Sequence, residues 1–214
     1  MTHPSTEGST SGQYKAEGFL DWFNINSKWI GAGAVVVILA LFGGWYVTRA
    51  KALKNSNADK QLSLAKQSVA SGNIPLAESD LKKVADRFSG TTAGAEAGMM
   101  LGQLRLEKGD YQGAVTYLQE LVPKLSGPNA AAARGLLGDA FSQLNKPAEA
   151  AAEYEQAAAL TAMPNERASL QVRAGHAYMA AGKAPEAKKI WEALASQDED
   201  QSIAAEARVR LGEL

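Results

Sequence analysis

Hydrophobic residues follow two different patterns along this chain. Residues 29–47 (WIGAGAVVVILALFGGWYV) form one apolar block of nineteen residues without a charge. After residue 56, apolar residues instead recur every three or four positions, which is the spacing of an amphipathic helix. The first pattern predicts a helix of about 28 Å, long enough to cross a bilayer. The second predicts a helical domain that follows it.

The apolar block has the flanks of a membrane anchor, with aromatic rings at both ends and basic residues close by. Residues 17–28 mix aromatic and polar positions, which predicts a short amphipathic segment in the membrane interface. A cleaved signal peptide and a buried core helix are the alternatives. They are disfavoured because the 28-residue leader is long for a signal peptide and because polar segments flank the block. The residues expected to contact lipid or a neighbouring membrane helix are Phe19, Trp22, Phe23, Trp29, Ala40, Gly44, Trp45 and Tyr46.

Lysine and arginine counts give this anchor a weak orientation. Lys15 and Lys28 precede the block, whereas Arg49, Lys51 and Lys54 follow it. Because cytoplasmic flanks carry more lysine and arginine, the count mildly favours a cytoplasmic C-terminal side.

Small residues recur in the second region at two phases, with a period of 36 to 37 residues. The first series is Ala65, Gly102, Gly138, Gly175 and Gly212, and the second is Ala77, Ala114, Ala150 and Ala187. Turn signals (SGNI, KGDY, LNKP and AGKA) separate the two phases, so each period predicts a helix, a turn and a second helix. We expect the small residues where the two helices cross. The larger side chains expected to fill the space beside them are Leu81, Leu118, Tyr154 and Trp191.

This pattern resembles the tetratricopeptide repeat family in the segments LG at 101–102, GDYQGAVTYLQEL at 109–121 and KPAEAAAEYEQAAAL at 146–160. The resemblance covers residues 57–214, although the family's usual period is about 34 residues and Arg105 replaces a tyrosine of its pattern. It implies an α-solenoid of about four repeats and a capping helix. Together with the apolar block, this predicts an all-α chain with one transmembrane helix before the solenoid. The predicted segments are a flexible polar tail (1–16), an interfacial segment (17–28), a transmembrane helix (29–48), a basic tether (49–56) and the solenoid (57–214). Within the solenoid the predicted repeats are about 57–91, 92–127, 128–163 and 164–199, followed by a closing helix (200–214).

Composition and motifs exclude several classes of function. The 214-residue chain has a net charge of −1 and no cysteine, which argues against general nucleic-acid binding, thiolate metal sites and cysteine nucleophiles. His176 has no second histidine close in sequence to share a metal. The acidic residues 198–200 lack the spacing of a calcium loop, and Asp200 is expected to cap the closing helix. The sequence therefore predicts no catalytic residue, no metal, no cofactor and no enzyme activity.

A stack of helix pairs leaves a groove lined by the first helix of each repeat. One polar position recurs there as Lys66, Gln103, Asp139 and His176. Around it the sequence places Met99, Leu106, Gln143, Val172 and Met179. We expect these residues to contact a bound partner.

Without a candidate for catalysis, the sequence predicts an interaction role, in which a membrane-anchored scaffold holds a polypeptide or a neighbouring subunit at a membrane complex. The FLDWF segment, the glycine-rich span ending in GGWYV and the repeats soon after it resemble the YfgM-type ancillary subunits of the Sec translocon. That resemblance implies a bacterial inner membrane, a cytoplasmic N-terminus, periplasmic repeats, and translocon or chaperone partners. It opposes the charge count, and we follow it because an N-terminal anchor commonly exports the domain behind it.

Two other functions stay open from the sequence. The chain is alternatively a structural accessory subunit of another membrane assembly, with its helix docked on partners and its repeats forming an extramembrane cap. The third possibility, an enzyme or a small-ligand receptor, predicts a closed polar pocket, whereas the repeat pattern predicts an open groove.

Overall fold

The computed structural model describes the backbone of residues 10–196 and 201–214, and side chains for residue 32 and from residue 35 onwards within those ranges. The described chain is helical and contains no strand. It divides into two compact parts, Met1–Leu53 and Lys54–Leu214. Each part is described by itself below.

Helix α1 (Thr10–Ala70) contains the apolar block. A stretch of it, Val35–Ala70, is long and apolar enough to cross a membrane, with a window of mean hydropathy 1.4 and no buried residue in that window. The helix begins inside the predicted tail 1–16 and runs through the predicted tether 49–56. No proline lies between its ends, and proline is the residue that breaks a helix outright. The predicted borders within residues 1–56 are therefore not marked by a helix break and stay predictions.

The second part consists of helix pairs, as the period predicts. The C-terminal portion of α1 shares a core cluster with α2 and is hydrogen-bonded to it. Helix α3 pairs with α4, α5 with α6, and α7 with α8, while α9 closes the stack. The bounds are α2 (Ile74–Arg87), α3 (Thr92–Glu107), α4 (Tyr111–Leu121), α5 (Gly127–Gln143), α6 (Pro147–Leu160), α7 (Pro164–Ala180), α8 (Ala184–Ala195) and α9 (Gln201–Gly212), with a 3₁₀ turn at Val122–Lys124. The predicted fold class, an all-α solenoid with a closing helix, is confirmed.

Each turn inside a repeat depends on one residue with a left-handed backbone. Gly72, Gly109, Asn145 and Gly182 have positive φ values, and these four positions recur with the repeat period. In the second repeat the Asp110 amide donates to the Arg105 carbonyl oxygen at 2.9 Å, which is the bond that closes a Schellman cap. Glycine and asparagine adopt this conformation at the lowest cost, which explains why the turn signals repeat.

Within the four repeats, the first-series glycines lie against large side chains, as the sequence predicts, whereas Gly212 in the closing helix does not. A Cβ atom added to Gly138 would lie 2.5 Å from the Tyr154 ring, and one added to Gly175 would lie 2.6 Å from the Trp191 ring. A side chain of the second helix fills the space beside each of these glycines, as the sequence predicts. Helix crossing therefore depends on matched pairs of one glycine and one large apolar residue.

Candidate interaction groove

The face of the solenoid lined by the first helices carries one mostly apolar cleft of about 400 Å³. We call it the methionine cleft. It lies between α1, α3 and α5, and its apolar lining is formed by Val69, Met99, Met100, Leu104, Ala132 and Leu136. Gln103 and Glu107 line it as well, and both are exposed. A cleft of this volume lies within the range of about 300–1,000 Å³ that is typical of ligand sites.

Helical spacing explains how the sequence builds this cleft. Met99 and Met100 stand four and three positions before Gln103 on α3, so both lie on the helix face that carries Gln103. Met100 and Leu136 both stand two positions before a first-series glycine, in neighbouring repeats. Met99 and Gln103 are among the predicted groove residues, whereas Met100 and Leu136 are not, although alignment of the repeats on their glycines places these two at the same phase.

At the N-terminal end of the predicted polar row, Lys66 and Gln103 each contact a glutamate of α3. Lys66 forms an ion pair with Glu96 of α3, at 2.5 Å between Nζ and Oε1. Gln103 donates from Nε2 to Glu107 Oε1 at 3.0 Å, within the same helix. The first of these contacts joins two successive repeats across the groove, so Lys66 also contributes to stacking.

Asp139, the next member of the row, belongs to a cluster that joins α5, α6 and α7. The Tyr154 hydroxyl donates to Asp139 Oδ1 at 2.8 Å, and Arg173 forms an ion pair with the same carboxylate. The Arg173 guanidinium also lies over the Tyr154 ring, 4.3 Å from its centroid. This half of the groove is therefore ionic, in contrast to the methionine cleft.

Tyr154 makes the stability of this cluster dependent on pH. Burial raises the pKa of its hydroxyl from 10.0 to about 12. Because the pKa in the folded state lies above the unfolded value, the stabilisation is complete below pH 10 and is lost as the pH rises through 12. Because Tyr154 deprotonates first in the unfolded state, we expect the free energy of unfolding of the wild type to fall by about 1.4 kcal/mol by pH 11. Chemical denaturation at pH 9 and pH 11 measures this loss. Tyr154→Phe keeps the other titratable side chains and is the control, so its free energy of unfolding should fall by that much less. Equal losses in the two proteins would contradict the expected effect of Tyr154.

His176, the last member of the row, contacts both the core and the closing helix. Its Nε2 atom lies 2.9 Å from Glu206 Oε1 on α9, and its ring meets the Trp191 ring edge-on at 5.1 Å between centroids. His176 therefore lines the groove and packs at the same time.

The remaining predicted groove residues lie on the same first helices. Leu106, Val172 and Met179 are half-buried and pack against the main core cluster. Gln143 is exposed at the end of α5. Their contact with a partner stays a prediction.

Part of the predicted membrane anchor lies outside the described residues. The side chains of Phe19, Trp22, Phe23 and Trp29 belong to that undescribed set. The predicted anchor residues whose surroundings are described are Ala40, Gly44, Trp45 and Tyr46, and all four are exposed. A Cβ added at Gly44 would meet nothing within 4 Å. The predicted Asp200 cap also lies outside the described residues.

The fold and the groove together define a repeat-solenoid protein whose chain also carries a long apolar helix. The chain belongs to the tetratricopeptide repeat-like domain family, whose sequence model matches residues 21–129 and, overlapping these, residues 51–176. Repeats of this family generally act as non-catalytic scaffolds for protein–protein interaction. No curated protein that was compared matches the chain.

Solved structures share this fold at low sequence identity. A crystal structure of nearly identical TPR-like repeats from Podosopora anserina is 22% identical, with a TM-score of 0.55, and the match covers 74% of this chain and 85% of that one. MamA protein is 20% identical, with a TM-score of 0.52, over 63% of this chain and 69% of that one. A tetratricopeptide repeat protein from Parabacteroides merdae is 13% identical, with a TM-score of 0.58, over 73% of this chain and 59% of that one. At these identities the likeness concerns the fold alone.

Proposed function

We propose that this protein is a membrane-anchored scaffold that holds a polypeptide segment in the methionine cleft. The cleft itself is the observation that carries the proposal. Apart from the buried Leu104, its apolar side chains are half-exposed at the surface of a solenoid whose family generally binds proteins. Methionine side chains are flexible and polarisable, so they adapt to apolar groups of different shapes. A cleft of this kind suits a partner that presents variable apolar residues.

Two observations support the membrane anchor in this proposal. The described stretch Val35–Ala70 has the length and composition of a membrane span. The family match begins at residue 21, ahead of the apolar block, so the matched family region includes this block together with the repeats. The anchor would keep the methionine cleft close to proteins of the same membrane.

For the partner complex we propose a translocon, and the resemblance to YfgM-type subunits supports this. We place the anchor in a bacterial inner membrane, with the N-terminus cytoplasmic and the repeats periplasmic. There the cleft would contact polypeptides leaving the translocon, or the chaperones that receive them. An accessory subunit of another membrane assembly would use the same anchor but would hold one partner at fixed stoichiometry.

Binding to the cleft can be measured with the full-length protein in lipid nanodiscs and a fluorescent, unfolded, leucine-containing peptide. The double variant Met100→Gln, Leu136→Gln keeps the side-chain sizes but removes apolar contact area. We expect it to bind about tenfold more weakly than the wild type. Leu160→Gln serves as the control, because Leu160 is an exposed leucine on α6 away from the cleft. Equal affinity of the double variant and the wild type would exclude the cleft as the binding site.

The membrane partner can be identified in native membranes with a photoreactive amino acid in place of Gln103, which is exposed beside the cleft. The proposal expects crosslinks to translocon subunits, exported chains or secretory chaperones. Protease protection in spheroplasts should show digestion of the repeats from the outside. Repeats protected from the protease, or crosslinks confined to one unrelated assembly, would overturn the translocon assignment.

A further inference from the structure

One carboxylate beside the methionine cleft lacks an opposing charge. Glu107 is exposed, and its hydrogen bond comes from the neutral amide of Gln103 at 3.0 Å. Among the ion pairs of the described side chains, none includes Glu107. A neutral amide orients the carboxylate but leaves its charge in place.

The cations and anions closest in sequence to Glu107 are already engaged elsewhere. Lys108 pairs with Glu78 at 2.9 Å, and Arg105 donates to the Gly113 carbonyl oxygen at 2.9 Å. The other anion of this helix face, Glu96, is paired with Lys66. Among the described side chains that line the methionine cleft, Glu107 is the charged one, and it forms no ion pair with another described side chain.

The position of Glu107 in its helix increases the negative potential at this point. It is the last residue of α3, where the exposed carbonyl groups already carry partial negative charge. A carboxylate at a helix C-terminus is unfavourable for the helix, so folding alone does not account for this residue. The first helices of successive repeats run in the same direction, and their C-terminal ends lie along one edge of the groove. That edge suits a cation.

Resting on the proposed function, we propose that the methionine cleft binds polypeptide segments in which an apolar residue has a lysine or arginine beside it. The apolar side chain lies between Met100 and Leu136, and the cation lies next to Glu107. Segments with an acidic residue at the same place are disfavoured, because like charges repel. The charge selects among segments, while the apolar contact supplies most of the affinity.

Three matched peptides test this selection on the full-length protein in nanodiscs of neutral phosphatidylcholine, so that a basic peptide gains nothing from the lipid. All three share one leucine-containing sequence and differ in the residue beside each leucine, which is lysine, glutamine or glutamate. We expect the lysine peptide to bind about threefold more tightly than the glutamine peptide, and the glutamate peptide to bind more weakly than both. The advantage of the lysine peptide should fall at high salt.

Glu107→Gln keeps the size and hydrogen-bonding capacity of the side chain and removes its charge. In this variant the three peptides should bind equally. Glu149→Gln makes the same change in net charge at an exposed position on α6, and it should leave the preference intact. If the three peptides bind the wild type equally, or if Glu107→Gln keeps the preference, the selection by charge is wrong and the peptide site stands. If no peptide binds, the proposed function fails as well.

Discussion

Replacing Trp191 with alanine is expected to lower the free energy of unfolding of the C-terminal repeats by about 3–5 kcal/mol. The Trp191 side chain is fully buried, and its ring fills the space beside Gly175. Truncation removes a large apolar surface and leaves a cavity between α7 and α8, which packed helices can close only in part. It also removes the ring that meets His176 edge-on, next to the contact of that histidine with α9.

The loss from Trp191→Ala should be local. Each repeat of a solenoid contacts only its neighbours, so α7, α8 and α9 should open before the N-terminal repeats do. Amide hydrogen exchange on the full-length protein in detergent measures this helix by helix. Leu160→Ala, at a leucine that is 41% exposed, is the control and should change little. A uniform increase in exchange across α2 to α9 would mean that the solenoid unfolds as one body.

The pairing inside each repeat could be predicted from the sequence because it depends on short-range geometry. Two helices joined by a tight turn meet at a fixed distance from that turn, so the glycine and its large partner recur at fixed phases. This is why Gly138 and Tyr154 lie in contact as the period predicts. The repeating left-handed residue of the turn, as at Asn145, follows from the same constraint.

Contacts between repeats could not be predicted in the same way. Whether Lys66 reaches Glu96, or Asp139 reaches Arg173, depends on the rotation between successive repeats, which is set by how whole helix surfaces pack. The methionine cleft depends on that rotation too, because it opens between three successive first helices. The sequence of one repeat therefore predicts which residues face the groove but not the cleft that opens between repeats.

The ends of the long helix α1 could not be predicted from changes in polarity along the chain. Changes in polarity divide residues 1–56 into a tail, an interfacial segment, a span and a tether. Backbone hydrogen bonding does not follow polarity, and glycines inside the helix lower its stability without breaking it. In the described residues one helix therefore runs from Thr10 to Ala70.

Replacing Gly175 with valine is expected to cost about 3 kcal/mol in the wild type, because the new side chain would overlap the Trp191 ring. One repeat carries a side chain at this phase. In the first repeat the corresponding residue is Ala65, with Leu81 at the phase of the tryptophan, and both are buried in one core cluster. A Cβ atom is therefore accommodated at this phase in the first repeat, where no tryptophan opposes it.

The same substitution made in Trp191→Ala should cost far less, because the valine side chain enters the cavity that the indole ring leaves. A double-mutant cycle, measured by denaturant unfolding in detergent, should give a coupling free energy of roughly 2–3 kcal/mol between the two positions. Gly212→Val is a control from the same series, since a Cβ there meets nothing within 4 Å, and it should be nearly neutral. Additive costs for Gly175 and Trp191 would contradict direct contact between them. Coupling between Gly175 and Trp191, together with a neutral Gly212→Val, would indicate that the contact of one glycine with one large side chain fixes how the two helices of this repeat cross.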